Sequence, residues 1–121
     1  MYETILERHF CAGHHLSNYE GKCSNFHGHN YKVMLHVTTD VLDKSGISID
    51  FKELKNILDP ILEAVDHKYL NELELFQERH TSAEAIAEMF YQQIKVQLPE
   101  HINIKKVCVY ESDTQIVCYY E

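Results

Sequence analysis

From Tyr2 to His14 the chain alternates polar and apolar side chains and is rich in strand formers. That period of two predicts a strand with one face turned to a core. Tyr31 to Thr39, Tyr-Lys-Val-Met-Leu-His-Val-Thr-Thr, predicts a second strand. Between them, Asn18 to Asn25 carries Gly21, Ser24 and two asparagines and reads as a loop. Asp43-Lys44-Ser45-Gly46 reads as a turn and Ile47 to Ile49 as a short extended piece. At Asp50 the period changes. Phe51, Leu54, Ile57, Leu58, Ile61, Leu62 and Val65 recur at helical spacing, with Asp50 as N-cap and Glu53 at the capping-box position. Pro60 inside this run predicts a kink. A second helix starts near Ser82, read as its cap, places Ala83, Ile86, Ala87, Phe90, Ile94 and Leu98 on one face, and ends at Pro99. Ile104 to Glu111 and Gln115 to Tyr120 then predict a hairpin turning at Ser112-Asp113-Thr114. The order is ββααββ, an α+β pattern in a single domain spanning 1–121.

Composition narrows the classes of function. The 121 residues carry a formal charge of −8, which argues against nucleic acid as the main partner. No stretch approaches the ~20 apolar residues of a membrane span. The charged, alternating N-terminus is unlike a secretory signal, so the chain is expected to be cytoplasmic. In that reducing setting Cys11, Cys23, Cys108 and Cys118 are expected as thiols, and none forms a Cys-x-x-Cys pair. Nine histidines are many for this length and point to metal or acid–base chemistry.

His27-Gly28-His29 sits just ahead of the second strand. Extended backbone turns residues i and i+2 to the same face, so the two imidazoles can converge on one ion. If the two strands pair antiparallel, His14 arrives beside them. Three histidines leave a fourth position of a zinc ion for water or substrate. Spacing alone does not choose among His9, His14 and His15. Cys23, in a polar loop, is a candidate thiolate base or nucleophile, or else a fourth zinc ligand. Cys11, Cys108 and Cys118 lie among apolar strand residues and read as inert. Asp66-His67 closes the first helix and can act as an oriented acid–base pair only if the backbone there leaves the helix. Glu111 shares a face with Val107 and Val109, where a buried carboxylate needs a partner; a cyclic guanidine edge suits it. His36, His80 and His101 read as structural or surface residues, and Glu84 as a surface or pocket residue.

Taken together, Phe10-Cys11-Ala12-Gly13-His14-His15-Leu16, Cys23-Ser24-Asn25-Phe26-His27-Gly28-His29-Asn30-Tyr31, Ile49 to Lys55, Asp66 to Asn71, Thr81 to Ala87 and the strand ending in Glu111 resemble the 6-pyruvoyltetrahydropterin synthase family over nearly the whole chain. The resemblance implies a tunnelling fold: a four-stranded antiparallel sheet with two helices on one face. It implies a homo-oligomer, a hexamer, with active sites between subunits. It makes His14, His27 and His29 the ligands of Zn2+, Cys23 the base, Asp66 and His67 the second proton-transfer pair, and Glu111 the anchor of the pterin ring. Gly13, His15 and Thr81 depart from the family pattern; His15 replaces a frequent arginine, which turns attention to Lys22 for holding a triphosphate. Three residues separate Cys23 from His27, as in the carboxy-forming branch. That branch converts 7,8-dihydroneopterin triphosphate and water to 6-carboxy-5,6,7,8-tetrahydropterin, acetaldehyde and triphosphate, a step toward queuosine. The alternatives are the pyruvoyl-forming branch and a non-catalytic zinc- or pterin-binding module in which Cys23 closes a structural site.

Overall fold

The computed structural model describes residues 1–15, 27–77 and 80–121, with His27 described through its backbone. Strand β1 (Tyr2–His14) pairs antiparallel with β2 (His27–Thr39), from Tyr2 opposite Thr39 to His14 opposite His27. After the turn at Gly46, which takes a positive φ of 79°, comes helix α1 (Phe51–Val65). The side chain of Asp50 caps it by accepting the Lys52 amide at 2.8 Å. The helix runs on through the exposed Pro60. Strand β3 (Lys68–Tyr69) and two short 3-10 turns lead to helix α2 (Ala83–Lys95), capped by Ser82, which accepts the Ala85 amide. Strands β4 (Asn103–Ser112) and β5 (Gln115–Tyr119) close the chain as a hairpin.

The expected ββααββ order is present, but the sheet has five strands, β3-β1-β2-β4-β5, rather than four. The added β3 is two residues long and runs parallel to β1, pairing Ala12 with Lys68 and Gly13 with Tyr69. So short a strand has no periodicity of its own; it exists because α1 delivers the chain against the free edge of β1.

Alternation decides what each face does. On β2, Tyr31, Val33, Leu35 and Val37 are essentially fully buried. Leu6, Phe10 and Ala12 join them from β1 and Val107 and Val109 from β4. Helix α1 packs over β1, and α2 over β4 and β5. Leu54, Leu58, Ile86, Phe90 and Ile94 fill the space between helices and sheet. Removing one such leucine side chain costs about 2–5 kcal/mol. Arg8 projects from the same face of β1 and grips Asp59 of α1 with two bonds, of 2.9 and 3.1 Å. The opposite face is open and polar. There Glu3 bonds to both His36 on β2 and Lys105 on β4, at 2.8 and 2.6 Å. These two partners, Lys105 foremost, hold the Glu3 carboxyl down at about 2.

The cysteines correct the expectation of four thiols. Cys108 and Cys118 stand directly opposite each other on β4 and β5 and are joined as a disulfide. Cross-strand register, not sequence spacing, brings them together. Among the described residues, Cys11 is the free cysteine.

Candidate metal and acid–base site

At the end of the β1–β2 pair the helix-covered face turns from apolar to polar. His14 continues the inward series Phe10, Ala12 and is 1 % exposed. Of the three histidines the spacing left open, it is the one placed inward. His9 is exposed beside Glu7, and His15 bonds to the Tyr69 hydroxyl. His14 Nδ1 lies 2.7 Å from the carbonyl oxygen of Thr81. A carbonyl only accepts, so Nδ1 carries the proton and Nε2 presents a lone pair. The Tyr31 hydroxyl reaches that Nε2 at 3.1 Å. Burial, and secondarily the charge of Glu111, push the Tyr31 phenol well above its ordinary range, so it stays a donor. His29 stands edge-on to His14, with ring centroids 5.2 Å apart. Glu111 completes the group: ligand atoms of His14, His29 and Glu111 all lie within 4.8 Å of one another.

Two imidazoles and a carboxylate, one imidazole locked by a backbone carbonyl, form a donor set that a divalent metal accepts. The backbone of His27, opposite His14, has the same strand phase as His29. Its side chain, and the whole of Cys23 and Lys22, lie outside the described residues. Among the described residues, a Cβ at Gly28 would meet only the Ala12 carbonyl oxygen, at 3.8 Å.

The chain past β1 is tied down by Asn71 and Thr81. Asn71 accepts the His15 amide and donates to its carbonyl, at 2.9 and 3.1 Å, and the Thr81 hydroxyl donates to the same carbonyl at 3.0 Å. Thr81, buried at the entry to α2, thus positions both His14 and His15.

Asp66 and His67 satisfy the condition the sequence set. Helix α1 stops at Val65, Asp66 is extended (φ −68°, ψ 132°) and His67 is left-handed (φ 56°). The turn lets these neighbours face each other, with His67 Nδ1 3.5 Å from Asp66 Oδ1. Asp66 also accepts the Cys11 amide at 2.9 Å, while the His67 amide donates to the Cys11 carbonyl at 2.6 Å. The imidazole is 77 % exposed and therefore reachable by a substrate or a second subunit. It opens into a cleft of about 420 Å³ whose lining includes Cys11, Gly13, Gly28, Asn30 and Tyr69. Glu111 lines a separate cavity of about 370 Å³ with Glu84 and the first residues of β5. Sequence reasoning missed Cys11 as a neighbour of Asp66 and His67. The signal was the odd-numbered phase of β1, which turns Cys11 away from the core.

The architecture defines a class, the small α+β proteins of the tunnelling fold. The comparisons narrow it. The chain matches the 6-pyruvoyl tetrahydropterin synthase family over residues 3–121. It is 30% identical, with both chains covered in full, to the 6-carboxy-5,6,7,8-tetrahydropterin synthase of Haemophilus influenzae. It is 38% identical over 78% of its length and 76% of the relative to the Synechocystis protein of the same name. The structure superimposes on 6-pyruvoyl tetrahydropterin synthase of Caenorhabditis elegans with a TM-score of 0.86, covering 100% of this chain and 97% of the other at 28% identity. The chain belongs to the 6-pyruvoyl tetrahydropterin synthase family, and it is a lyase.

Proposed function

We propose that the chain converts 7,8-dihydroneopterin triphosphate and water to 6-carboxy-5,6,7,8-tetrahydropterin, acetaldehyde and triphosphate, supplying deazapurine synthesis such as that of queuosine. The convergence of His14, His29 and Glu111 at the end of the sheet carries this reading. The bacterial relatives named for the carboxy-forming reaction, and the three-residue spacing from Cys23 to His27, favour this branch over the pyruvoyl-forming one.

In this reading His14, His27 and His29 hold Zn2+, with the Thr81 carbonyl fixing the His14 tautomer. Bound zinc would polarise the side-chain oxygens of the substrate and acidify the adjacent C–H bonds. Glu111 accepts two N–H bonds from the guanidine edge of the pterin and sets the position of the reacting carbon. The Cys23 thiolate removes a proton, and His67, oriented by Asp66, returns one.

The functional unit is a homo-oligomer with sites shared between subunits. By strand alternation Cys11 faces away from His14, so the Asp66–His67 pair gathered around Cys11 stands to one side of the metal group. The sheet also ends on the short strands β3 and β5, which leave edges for pairing with other copies. The pair that serves a given metal group therefore comes from another subunit.

Turnover of 7,8-dihydroneopterin triphosphate by zinc-loaded protein tests the reaction. Acetaldehyde appearing with 6-carboxytetrahydropterin supports it. Triphosphate release without acetaldehyde moves the chain to the pyruvoyl-forming branch, and no turnover overturns the proposed substrate. Mixing Cys23→Ser with His67→Ala protein tests the sharing: activity restored in hybrid oligomers supports it, and inactive hybrids oppose it.

A further inference from the structure

We propose that Cys11, Asp66 and His67 form a second divalent-metal site, distinct from the His14 group, and that its occupation silences the Asp66–His67 pair. The second clause rests on the proton-transfer role given to that pair above. The site itself rests on geometry. A thiol sulfur, a carboxylate oxygen and an imidazole nitrogen lie within 4.8 Å of one another. Sulfur, nitrogen and oxygen donors together suit zinc or cobalt better than magnesium or calcium.

The backbone builds this group as one unit. Consecutive residues grip Cys11 from both sides, Asp66 through its amide and His67 through its carbonyl. The left-handed turn at His67 then brings its ring back over Asp66. The 3.5 Å between His67 Nδ1 and Asp66 Oδ1 already matches the donor spacing of a tetrahedral zinc shell, about 3.5 Å for bonds of 2.0–2.3 Å. The thiol must exchange its present partner. It now donates to Asn30 Oδ1 at 2.9 Å, a weak bond that a metal would replace while the thiol proton leaves to solvent. The cleft gives an ion access. Lys68 lines it with one positive charge, against the two negative charges of a thiolate and a carboxylate. A metal bound through the imidazole occupies the lone pair that His67 needs to take up a proton. Zinc beyond the first equivalent should therefore inhibit an enzyme that requires zinc.

Cobalt(II) is a direct probe, because a thiolate–cobalt bond absorbs strongly in the near ultraviolet. Reduced full-length protein titrated with cobalt(II) should develop this band. The band should persist in Cys23→Ser and disappear when Cys11→Ser is added to it, and His67→Ala, which removes a ligand outright, should weaken binding by more than the roughly tenfold to hundredfold loss of an outer-shell partner. A band that survives in the Cys11→Ser/Cys23→Ser double variant, or none in Cys23→Ser, overturns the site. This readout needs no turnover, so it stands even if the proposed reaction fails. With turnover in hand, excess zinc should inhibit the wild type and spare Cys11→Ser. Equal inhibition of both overturns the link to the Asp66–His67 pair.

Discussion

His14 Nδ1 donates to the Thr81 carbonyl oxygen across 2.7 Å, joining the end of β1 to the entry of α2 over 67 residues of chain. The bond does more than tie two elements. Because the acceptor is a backbone carbonyl, no side-chain substitution removes it and no proton can move to it. The tautomer of His14 is thus fixed by the fold, and Nε2 is the atom left to compete for, by the Tyr31 hydroxyl or by a metal.

That competition predicts the behaviour of Tyr31→Phe. In metal-free protein the change removes the Tyr31 hydroxyl from the buried Nε2 and should cost about 1–3 kcal/mol. In metal-loaded protein the metal satisfies Nε2, so the loss should be smaller. Thermal unfolding with and without zinc should show a wider gap between the two forms in Tyr31→Phe than in the wild type. An unchanged gap would mean that the metal does not use His14.

Glu111 lies close enough to His14 and His29 to be either a metal ligand or a ring anchor. If it anchors the ring, Glu111→Gln should keep one zinc per chain while pterin affinity falls tenfold or more, since a bond to a charged group is worth about 1.5–3 kcal/mol. Metal analysis beside a pterin-binding titration separates the two roles. Loss of zinc in Glu111→Gln would make the carboxylate a ligand.

The left-handed backbone of His67 separates function from fold. A non-glycine residue there carries strain of about 1–2 kcal/mol, which glycine does not. His67→Gly should be more stable than His67→Ala by about 1 kcal/mol. Both should lose turnover by about a hundredfold to ten-thousandfold, the range for a missing acid–base group. Chemical denaturation checks the first statement; an alanine variant as stable as the glycine variant would contradict the left-handed turn.

Acid should undo one contact of the open face before it unfolds the core. The Glu3 carboxyl is held down from 4.5 to about 2 in the folded chain, so folding favours its charged form. Its contribution is therefore complete above pH 4.5 and is lost as pH falls toward 2. The melting-temperature advantage of wild type over Glu3→Gln should be present at neutral pH and shrink through that interval. An advantage that grows as pH falls from 4.5 toward 2 would contradict the ion pair to Lys105.

Much of the fold was legible because it rests on local rules. The bounds of β1, the caps Asp50 and Ser82, and the terminal hairpin follow from alternation and capping chemistry. So did the convergence of His14 with His29, once antiparallel pairing was assumed. What escaped depends on contacts between segments distant in sequence. Strand β3 is created by the edge it meets. The Cys108–Cys118 bond comes from register, and compartment reasoning pointed the other way. Cys11 looked inert among apolar neighbours, yet its backbone is the hub for Asp66 and His67, 55 residues or more away.

The register of β1 on β2 also limits how such a chain can lengthen in evolution. A strand has two phases. One residue inserted after Phe10 would exchange the faces of Cys11 and His14, sending the imidazole to solvent and the thiol into the core. Insertions are tolerable only where they leave that phase intact, in the connections between elements. The alignment with the Haemophilus influenzae relative takes in all 121 residues of this chain yet runs over 143, so the two chains differ in length. Length can drift in the connections, but β1 and β2 must keep count.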